Sequence, residues 1–263
     1  MAVLGLAEAG AALDRPDWVA AADATADLLL ARHVVDGRVR RSSRDGAVGA
    51  AAGVLEDHAF LVEALLALHQ ATGVAHRLEQ AVGLLDVTLA HFADPAAPGN
   101  FFDTADDAEA LLHRPREFTD NATPSGAAAL AGALLTTSVL VDEPGRYRDA
   151  AEAALRSAGG LARRFPRFAG HWLTVAEAAA RGPLQVAVVG TDGDREVLAA
   201  HARAIAPGGT VVVAGEPDAP GVPLLAHRPL VDGAATAYVC RGFVCDRPVT
   251  TPDELAAALR RRP

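Results

Sequence analysis

Apolar residues recur every three to four positions through the first 180 residues, a pattern typical of helices that bury one face. Turn-forming residues and long polar or aromatic stretches interrupt it. The pattern predicts seven helices, at residues 2–13, 17–34, 54–73, 75–93, 123–142, 145–165 and 169–181. Short turns join the first helix to the second, the third to the fourth and the fifth to the sixth, so these pairs are predicted to form antiparallel hairpins.

Two long connections, residues 35–53 and 94–120, separate the hairpins. Because short and long connections alternate, the long ones are expected to gather at one end of the stack, where sites are more often found than in turns. The second helix of each hairpin opens with a similar pattern of bulky and small residues, which favours stacking of related units. We therefore predict a mainly α fold, in which residues 1–182 form a partial (α/α) toroid of helical hairpins.

The pattern changes after residue 181. Short apolar runs typical of buried strands appear at residues 184–190, 210–215 and 234–240. Helical patterns follow the first run and begin again at Pro252. A second domain, a small C-terminal α/β unit, is therefore predicted at residues 183–263.

Composition narrows the classes of function. No basic leader and no apolar run of about 18 residues is present, which predicts a cytoplasmic location without membrane contact. The net charge of −9, without a broad basic block, argues against nucleic acid as a partner. All 24 basic side chains are Arg, and the lack of Lys excludes Schiff-base chemistry on a Lys amine.

Two motifs in the α/β unit resemble cofactor-binding or metal-binding motifs, but each lacks residues that such a site requires. Gly190 and Gly193 form only G-x-x-G after the first strand, so no dinucleotide and no other cofactor is predicted. Cys240 and Cys245 would need two more ligands for structural zinc, and only His227 is close in sequence, so no metal is predicted. Because disulfides are rare in the cytoplasm, both cysteines are predicted to be reduced thiols.

Polar residues are concentrated before the fifth predicted helix. Thr123 and Pro124 are predicted as its N-cap and first residue, since Pro needs no partner for a missing N–H there. Asp120, Asn121 and Ser125 exceed what capping needs. They are either ordinary residues at a helix start or part of a pocket for an anionic or hydroxyl-rich ligand.

A second polar cluster opens the third predicted helix with Glu56, Asp57 and His58. Acids in a first turn are favoured by the helix dipole, so capping alone could explain them. If both clusters lie at one end of the toroid, Asp57 and Asp120 could act as the acid/base pair that sugar chemistry requires, with His58 and His113 as proton carriers.

The long loop between these clusters offers further candidates. Phe102 could stack on the C–H face of a sugar or fill the core. Arg116, like Arg114, could bind a carboxylate or phosphate, or pair with Asp106, Asp107 or Glu117.

Three segments carry a resemblance to a known family: LEDHAFLVEALLALHQATG at residue 55, FFDTADDAEALLHRPREFTDNATPSGAAAL at 101 and AYVCRGFVCDRPVTTPDEL at 237. They resemble the C-terminal part of the thioredoxin-domain-containing proteins of the YyaL and spermatogenesis-associated type. The resemblance implies an (α/α)6 toroid similar to N-acylglucosamine 2-epimerases and six-hairpin glycosidases. In that family a thioredoxin-like domain precedes the toroid.

The resemblance also implies site residues at the toroid mouth. Its motif positions fall on Glu56, Asp57, Arg116, Glu117, Asp120, Thr123, Pro124 and Ser125. The chain departs from the family pattern at His58, where Tyr is expected, and at Asn121, where Gly is expected. We predict catalytic roles for Asp57, Asp120 and His58, and predict that a substrate is bound by Glu56, Phe102, Arg116, Glu117, Asn121 and Ser125.

The sequence predicts seven helices, whereas the toroid that the resemblance implies has twelve. The hairpins would then form an open arc, and the apolar face that the missing helices cover would be exposed. A truncated fragment is expected, with a partner-dependent half or a homo-oligomer as alternatives. The predicted function is binding or processing of a sugar-like small molecule, by an epimerase-type, isomerase-type or glycosidase-type reaction. The alternative is a non-catalytic helical scaffold for a thioredoxin-like partner.

Overall fold

The computed structural model describes residues 1–191, 193–242 and 244–261. Within them, helices occupy most of the first 181 residues: α1 (Ala2–Ala12), α2 (Pro16–His33), α3 (Leu55–Thr72), α4 (Ala75–Phe92), α5 (Gly126–Thr137), α6 (Gly145–Arg164) and α7 (Gly170–Arg181). The seven predicted helices are confirmed to within one residue, except the fifth. Helix α5 begins three residues later than predicted, because a polar loop extends to Ser125, and it ends five residues earlier.

The helices pack as hairpins in two rows. Each of α1, α3 and α5 contacts the helix that follows it, and α1, α3, α5 and α7 also contact one another in succession. Helix α5 lies inside the protein, since all its residues except Gly132 and Thr136 are buried. Its small side chains allow neighbouring helices to approach closely. A mainly α fold built from hairpins is therefore confirmed, whereas a toroid stays a prediction.

Two short hairpins form part of the loop after α2. They are β1 (Val34–Val35) with β2 (Arg38–Val39), and β3 (Ser43–Arg44) with β4 (Ala47–Val48). Each turn is an Asp-Gly pair with positive φ at both residues, the backbone conformation that a two-residue hairpin turn requires. The strands were not predicted, because two residues are too short to show an alternating pattern.

The α/β unit contains β5 (Leu184–Val189), α8 (Asp194–Ile205), β6 (Val211–Gly215), β7 (Thr236–Arg241), β8 (Val244–Cys245) and α9 (Pro252–Arg260). The strand order is β6-β5-β7-β8, with β5 parallel to β6 and antiparallel to β7. All residues of β5 are buried, which explains its continuous apolar run. The three predicted strands are confirmed, and the last two positions of the predicted unit lie outside the described residues.

The sheet is shared between two apolar clusters. One face packs against α8 and α9, and the other contributes Val189, Val213 and Tyr238 to the core of the helical region. The C-terminal end of α3 contacts β6, where a Cβ at Gly73 would lie 2.6 Å from the Ala214 carbonyl oxygen. The predicted division at residue 182 stays a prediction, but apolar side chains on both sides of it share one core.

Cys240 and Cys245 pair across β7 and β8 and form a disulfide. The prediction of two reduced thiols is therefore wrong. The pairing of β7 with β8 sets the two residues directly opposite each other, a contact that the spacing of the two cysteines in the sequence does not indicate.

No helix in residues 1–191, 193–242 and 244–261 has both the length and the hydropathy of a bilayer-spanning segment.

Candidate ligand-binding site

The two long loops meet at the N-terminal ends of α3 and α5. Arg38 in the first loop donates two hydrogen bonds, of 2.8 and 2.9 Å, to the carboxylate of Asp107 in the second. The N–H of Leu55 at the start of α3 donates to the carbonyl oxygen of Asp103, 2.9 Å away. The prediction that these loops gather at one end of the hairpins is confirmed.

A cavity of about 320 Å³ lies where the loops meet. Its lining is Val54, Glu56, Asp103, Thr104, Pro115, Glu117, Thr119, Asn121, Thr123, Pro124, Ser125 and Gly126. Four residues predicted to bind a substrate are therefore brought together: Glu56, Glu117, Asn121 and Ser125. Asp103, Thr104 and Thr119 were not predicted. The only signal for Asp103 was its position in a polar loop directly after two Phe residues.

The start of α5 forms the floor of this cavity. Ser125 is the N-cap, and its Oγ accepts a hydrogen bond of 3.2 Å from the N–H of Ala128. The prediction that Thr123 caps the helix and Pro124 is its first residue is wrong. A Cβ at Gly126 would lie 2.8 Å from the backbone nitrogen of Glu56, so glycine lets the starts of α3 and α5 touch.

The carboxylate of Asp57 forms hydrogen bonds at the start of α3. Its Oδ2 accepts a hydrogen bond of 2.9 Å from the N–H of Val54 and lies 3.3 Å from Arg41 Nη1. Asp57 lines a different cavity, which also includes Arg41 and Phe60. Its contacts are those of a capping residue.

Asp120 lies beneath the loops and is 7% exposed. Its carboxylate accepts hydrogen bonds from the N–H groups of Ser125 at 2.9 Å, His171 at 2.8 Å and Trp172 at 3.4 Å. It therefore joins the start of α5 to the start of α7, where a negative charge is favoured by the helix dipole. The structure does not bring Asp57 and Asp120 together as an acid/base pair around the 320 Å³ cavity.

His58 is 1% exposed. Its Nδ1 lies 3.1 Å from the carbonyl oxygen of Val54, and its Nε2 accepts a hydrogen bond of 3.3 Å from the N–H of Val39. Burial lowers the pKa of His58. His113 is exposed in the loop, so the paired-histidine hypothesis has no geometric support. His58 has the contacts of a core histidine that fixes the first loop against α3.

We expect His58 to affect stability in a pH-dependent way. Its pKa is lowered on folding, so the unfolded state binds more protons below the unfolded pKa of about 6.5. The stability that neutral His58 contributes is therefore present above that pH and is lost as pH falls towards the folded-state pKa. In urea unfolding, the stability of the native chain relative to His58→Gln should fall between about pH 7.5 and about pH 5.5.

His76→Gln, which changes an exposed histidine on α4, serves as the control for this measurement. Its stability relative to the native chain should be the same at both pH values. A pH-independent difference for His58→Gln would contradict the buried neutral histidine.

Arg116 and Phe102 stabilise the second loop. Arg116 Nη2 lies 2.5 Å from Asp94 Oδ2. The guanidinium carbons of Arg114 and Arg116 lie 3.9 and 4.0 Å from the centre of the Phe102 ring. Neither Phe102 nor Arg116 lines the 320 Å³ cavity, so the structure does not join these two residues to the other predicted substrate-binding residues.

Three carboxylates give this cavity its electrostatic character: Glu56, Asp103 and Glu117. Burial raises the pKa of Asp103. A hydrogen bond from the backbone N–H of Glu117 opposes this shift, and the negative charges of Glu117 and Glu56 add to it, so the pKa is raised. In contrast, the hydroxyl of Thr119 donates to Glu117 and lowers the pKa of that carboxyl, as does the Thr119 N–H at 2.7 Å. Arg41 pairs with Glu56 at 2.7 Å. The cavity therefore contains neighbouring carboxyls with pKa values shifted in opposite directions.

Two other groups of titratable side chains lie outside this cavity. His91, Asp106 and Asp107 offer ligand atoms within 4.8 Å of one another, but His91 Nδ1 already lies 2.7 Å from Asp106 Oδ1, and Arg38 already pairs with Asp107. We assign no metal to this group. The second group pairs His171 Nε2 with Glu63 Oε1 at 3.6 Å, beside a cavity of about 180 Å³ between α3, α5 and α7.

The fold and the site define a mainly α protein of packed helical hairpins, with a small mixed sheet and an acidic cavity between two long loops. No protein-family model matches the chain. It is 28% identical to mouse spermatogenesis-associated protein 20 in an alignment of 276 positions, which covers 98% of this chain and 35% of the mouse protein. It is also 28% identical to the human protein of that name over 247 residues, covering 88% of this chain and 31% of the human protein.

The chain spans about a third of the length of the curated relatives it matches. Homology to spermatogenesis-associated protein 20 over most of the chain confirms the coarser part of the predicted resemblance.

Proposed function

We propose that the cavity between the two long loops binds a small polyhydroxylated molecule of the sugar type, and that Asp103 and Glu117 transfer protons to and from it. The observation that carries this proposal is that one cavity of about 320 Å³ joins the carboxylates of Glu56, Asp103 and Glu117. Carboxylates accept hydrogen bonds from hydroxyl groups, and three of them disfavour an anionic ligand.

The size and lining of the cavity support a small ligand. Its volume falls near the lower end of the range of about 300–1,000 Å³ that is usual for small-molecule sites. The hydroxyls of Thr104 and Thr119 and the amide of Asn121 add donors and acceptors around the three carboxylates. Pro115 and Pro124 supply apolar surface for the C–H groups of a sugar ring.

The assignment of acid and base follows from the opposite pKa shifts. A carboxyl whose pKa is raised by burial can hold a proton and donate it, whereas one whose pKa is lowered stays ionised and can accept a proton. These descriptions fit Asp103 and Glu117, respectively. Most glycoside hydrolases use such a pair of carboxyls, and the same acid and base roles serve proton transfer in sugar isomerisation and epimerisation. In our proposal this pair replaces Asp57, His58 and Asp120, because Asp103 and Glu117 line the cavity and the other three residues do not.

Similarity to spermatogenesis-associated protein 20 covers nearly the whole chain, including both long loops and the starts of α3 and α5. We propose that this chain is a helical domain of that family and that the resemblance to sugar epimerases and six-hairpin glycosidases extends to its ligand class.

Isothermal titration of the chain with a panel of neutral sugars and polyols tests the proposal. We expect saturable binding of at least one compound, with an affinity lowered about tenfold or more by Asp103→Asn and by Glu117→Gln, since each removes part of a hydrogen-bonded carboxylate (~1.5–3 kcal/mol). Asp106→Asn is the matched control, because this exposed carboxyl lies three residues from Asp103 but outside the cavity.

Two results would overturn the proposal. One is binding that is unaffected by both substitutions. The other is no binding of any sugar or polyol by a folded chain, which would favour the scaffold hypothesis if a thioredoxin-like protein then bound.

A further inference from the structure

We propose that the disulfide between Cys240 and Cys245 is a thiol–disulfide exchange site, which accepts two electrons from a dithiol, and that Arg228 stabilises its reduced form. The site lies on β7 and β8, away from the cavity between the two loops. This inference is independent of the proposed sugar site.

The two cysteine residues differ in their exposure to solvent. Cys240 is 0% exposed, on a strand that is flanked by β5 and β8. Cys245 is exposed on β8, the two-residue strand at the edge of the sheet. Exchange begins with attack of a thiolate on one disulfide sulfur, and the rate depends on access to that sulfur. The sulfur of the exposed residue, Cys245, is therefore the point of attack, and the Cys240 sulfur is the leaving group.

Arg228 lies against both sulfurs. Its Nη2 is 3.7 Å from Cys240 Sγ and 3.6 Å from Cys245 Sγ, and the residue is 8% exposed. Its Nη1 donates to the Ala226 carbonyl oxygen at 2.9 Å. No carboxylate among residues 1–191, 193–242 and 244–261 forms an ion pair with Arg228, and burial lowers its pKa. A positive charge is thus held beside a disulfide, a group that carries no compensating charge.

Reduction of the disulfide would supply the missing negative charge. A thiolate at Cys240 would lie beside the Arg228 guanidinium, and a nearby Arg favours the thiolate form of a cysteine. Stabilising the reduced form raises the reduction potential of a disulfide. The arrangement therefore favours a disulfide that is readily reduced over one that serves only as a permanent cross-link.

One dithiol molecule supplies both electrons for the reduction. Its first thiolate forms a bond to Cys245 Sγ while the Cys240–Cys245 bond breaks, and the electron pair leaves on Cys240 as a thiolate beside Arg228. The second thiol loses its proton to solvent and attacks the dithiol sulfur of the mixed disulfide. Cys245 leaves as a thiolate and takes a proton from solvent. The dithiol is oxidised by two electrons to a disulfide, and the protein is reduced by two electrons.

Equilibration of the whole chain with mixtures of reduced and oxidised dithiothreitol tests this proposal, with alkylation and mass measurement to count thiols. We expect a single two-electron transition without denaturant. Arg228→Met should lower the equilibrium constant for reduction about tenfold, equivalent to ~30 mV. Arg228→Lys, which keeps the charge, should shift the equilibrium constant less. Arg247→Met is the control: it changes an exposed arginine two residues after Cys245 and should leave the equilibrium constant unchanged.

A second measurement does not depend on the Arg228 variants folding. With Cys240→Ser, the exposed Cys245 thiol should form a mixed disulfide with oxidised glutathione at least about tenfold faster than the buried Cys240 thiol does in Cys245→Ser. Equal rates would overturn the assigned point of attack. A disulfide that is reduced only in denaturant, or an equilibrium constant that Arg228→Met leaves unchanged, would overturn the exchange site.

Discussion

Replacing Asp120 with Ala is expected to destabilise the folded state by about 3–5 kcal/mol, because three backbone N–H groups at the starts of α5 and α7 lose their acceptor. Each unsatisfied buried donor costs about 1–3 kcal/mol, and the favourable charge at the α7 dipole is lost as well. The expected loss is a large share of a typical domain stability of about 5–15 kcal/mol. Urea unfolding followed by circular dichroism measures it.

Two further variants make this test specific. Asp120→Asn keeps the size of the side chain but places an NH₂ group against N–H donors, so it should also destabilise the protein, by about 2–4 kcal/mol. Asn121→Ala, at the exposed neighbouring position, should change stability by less than about 0.5 kcal/mol. A loss below about 1 kcal/mol for Asp120→Ala would mean that the carboxylate does not join the two helices, and it would return Asp120 to consideration as a catalytic residue.

Replacing Gly99 with Ala is expected to destabilise the protein by about 2–6 kcal/mol. Gly99 has a φ of +88°, in the left-handed region, and its Cβ would lie 2.4 Å from the carbonyl carbon and oxygen of Ala153 on α6. Ser157 on α6 also donates a hydrogen bond of 3.1 Å to the Gly99 carbonyl oxygen. The added methyl group would push the second long loop away from α6.

Gly83→Ala provides a control of opposite sign. Gly83 lies within α4, and nothing lies within 4 Å of the position that its Cβ would take. Alanine has the higher helix propensity, so this variant should be more stable by up to about 1 kcal/mol. Thermal unfolding of both variants checks the pair. A Gly99→Ala chain as stable as the native one would show that the loop does not pack on α6 in solution.

Much of the fold followed from the sequence. Six of the seven helices were predicted to within one residue, because apolar periodicity reports directly which face of each helix is buried. The exception, α5, shows the limit of this method. Its Ala-rich segment is buried on nearly every side, so periodicity does not mark its ends, and Ser125 rather than Thr123 proved to be its cap.

The location of the candidate site was predicted from the sequence, but the residues that line it were predicted only in part. Alternating connection lengths placed the two long loops together, and the structure confirms this through the contact between Arg38 and Asp107. The choice among the carboxylates was not predictable. Asp57 and Asp120 precede or open helices as the sequence suggests, but neither lines the cavity, whereas Asp103, from the middle of a loop, does.

The sequence by itself determined the helical hairpins, three of the four strands of the C-terminal sheet and the acidic, Lys-free character of the chain, because these depend on composition and on patterns between neighbouring residues. Only the tertiary structure decided which carboxylates share a cavity and that Cys240 faces Cys245 beside Arg228. Such contacts depend on the path of a loop and on the register of strands, which are set by packing between segments far apart in the chain.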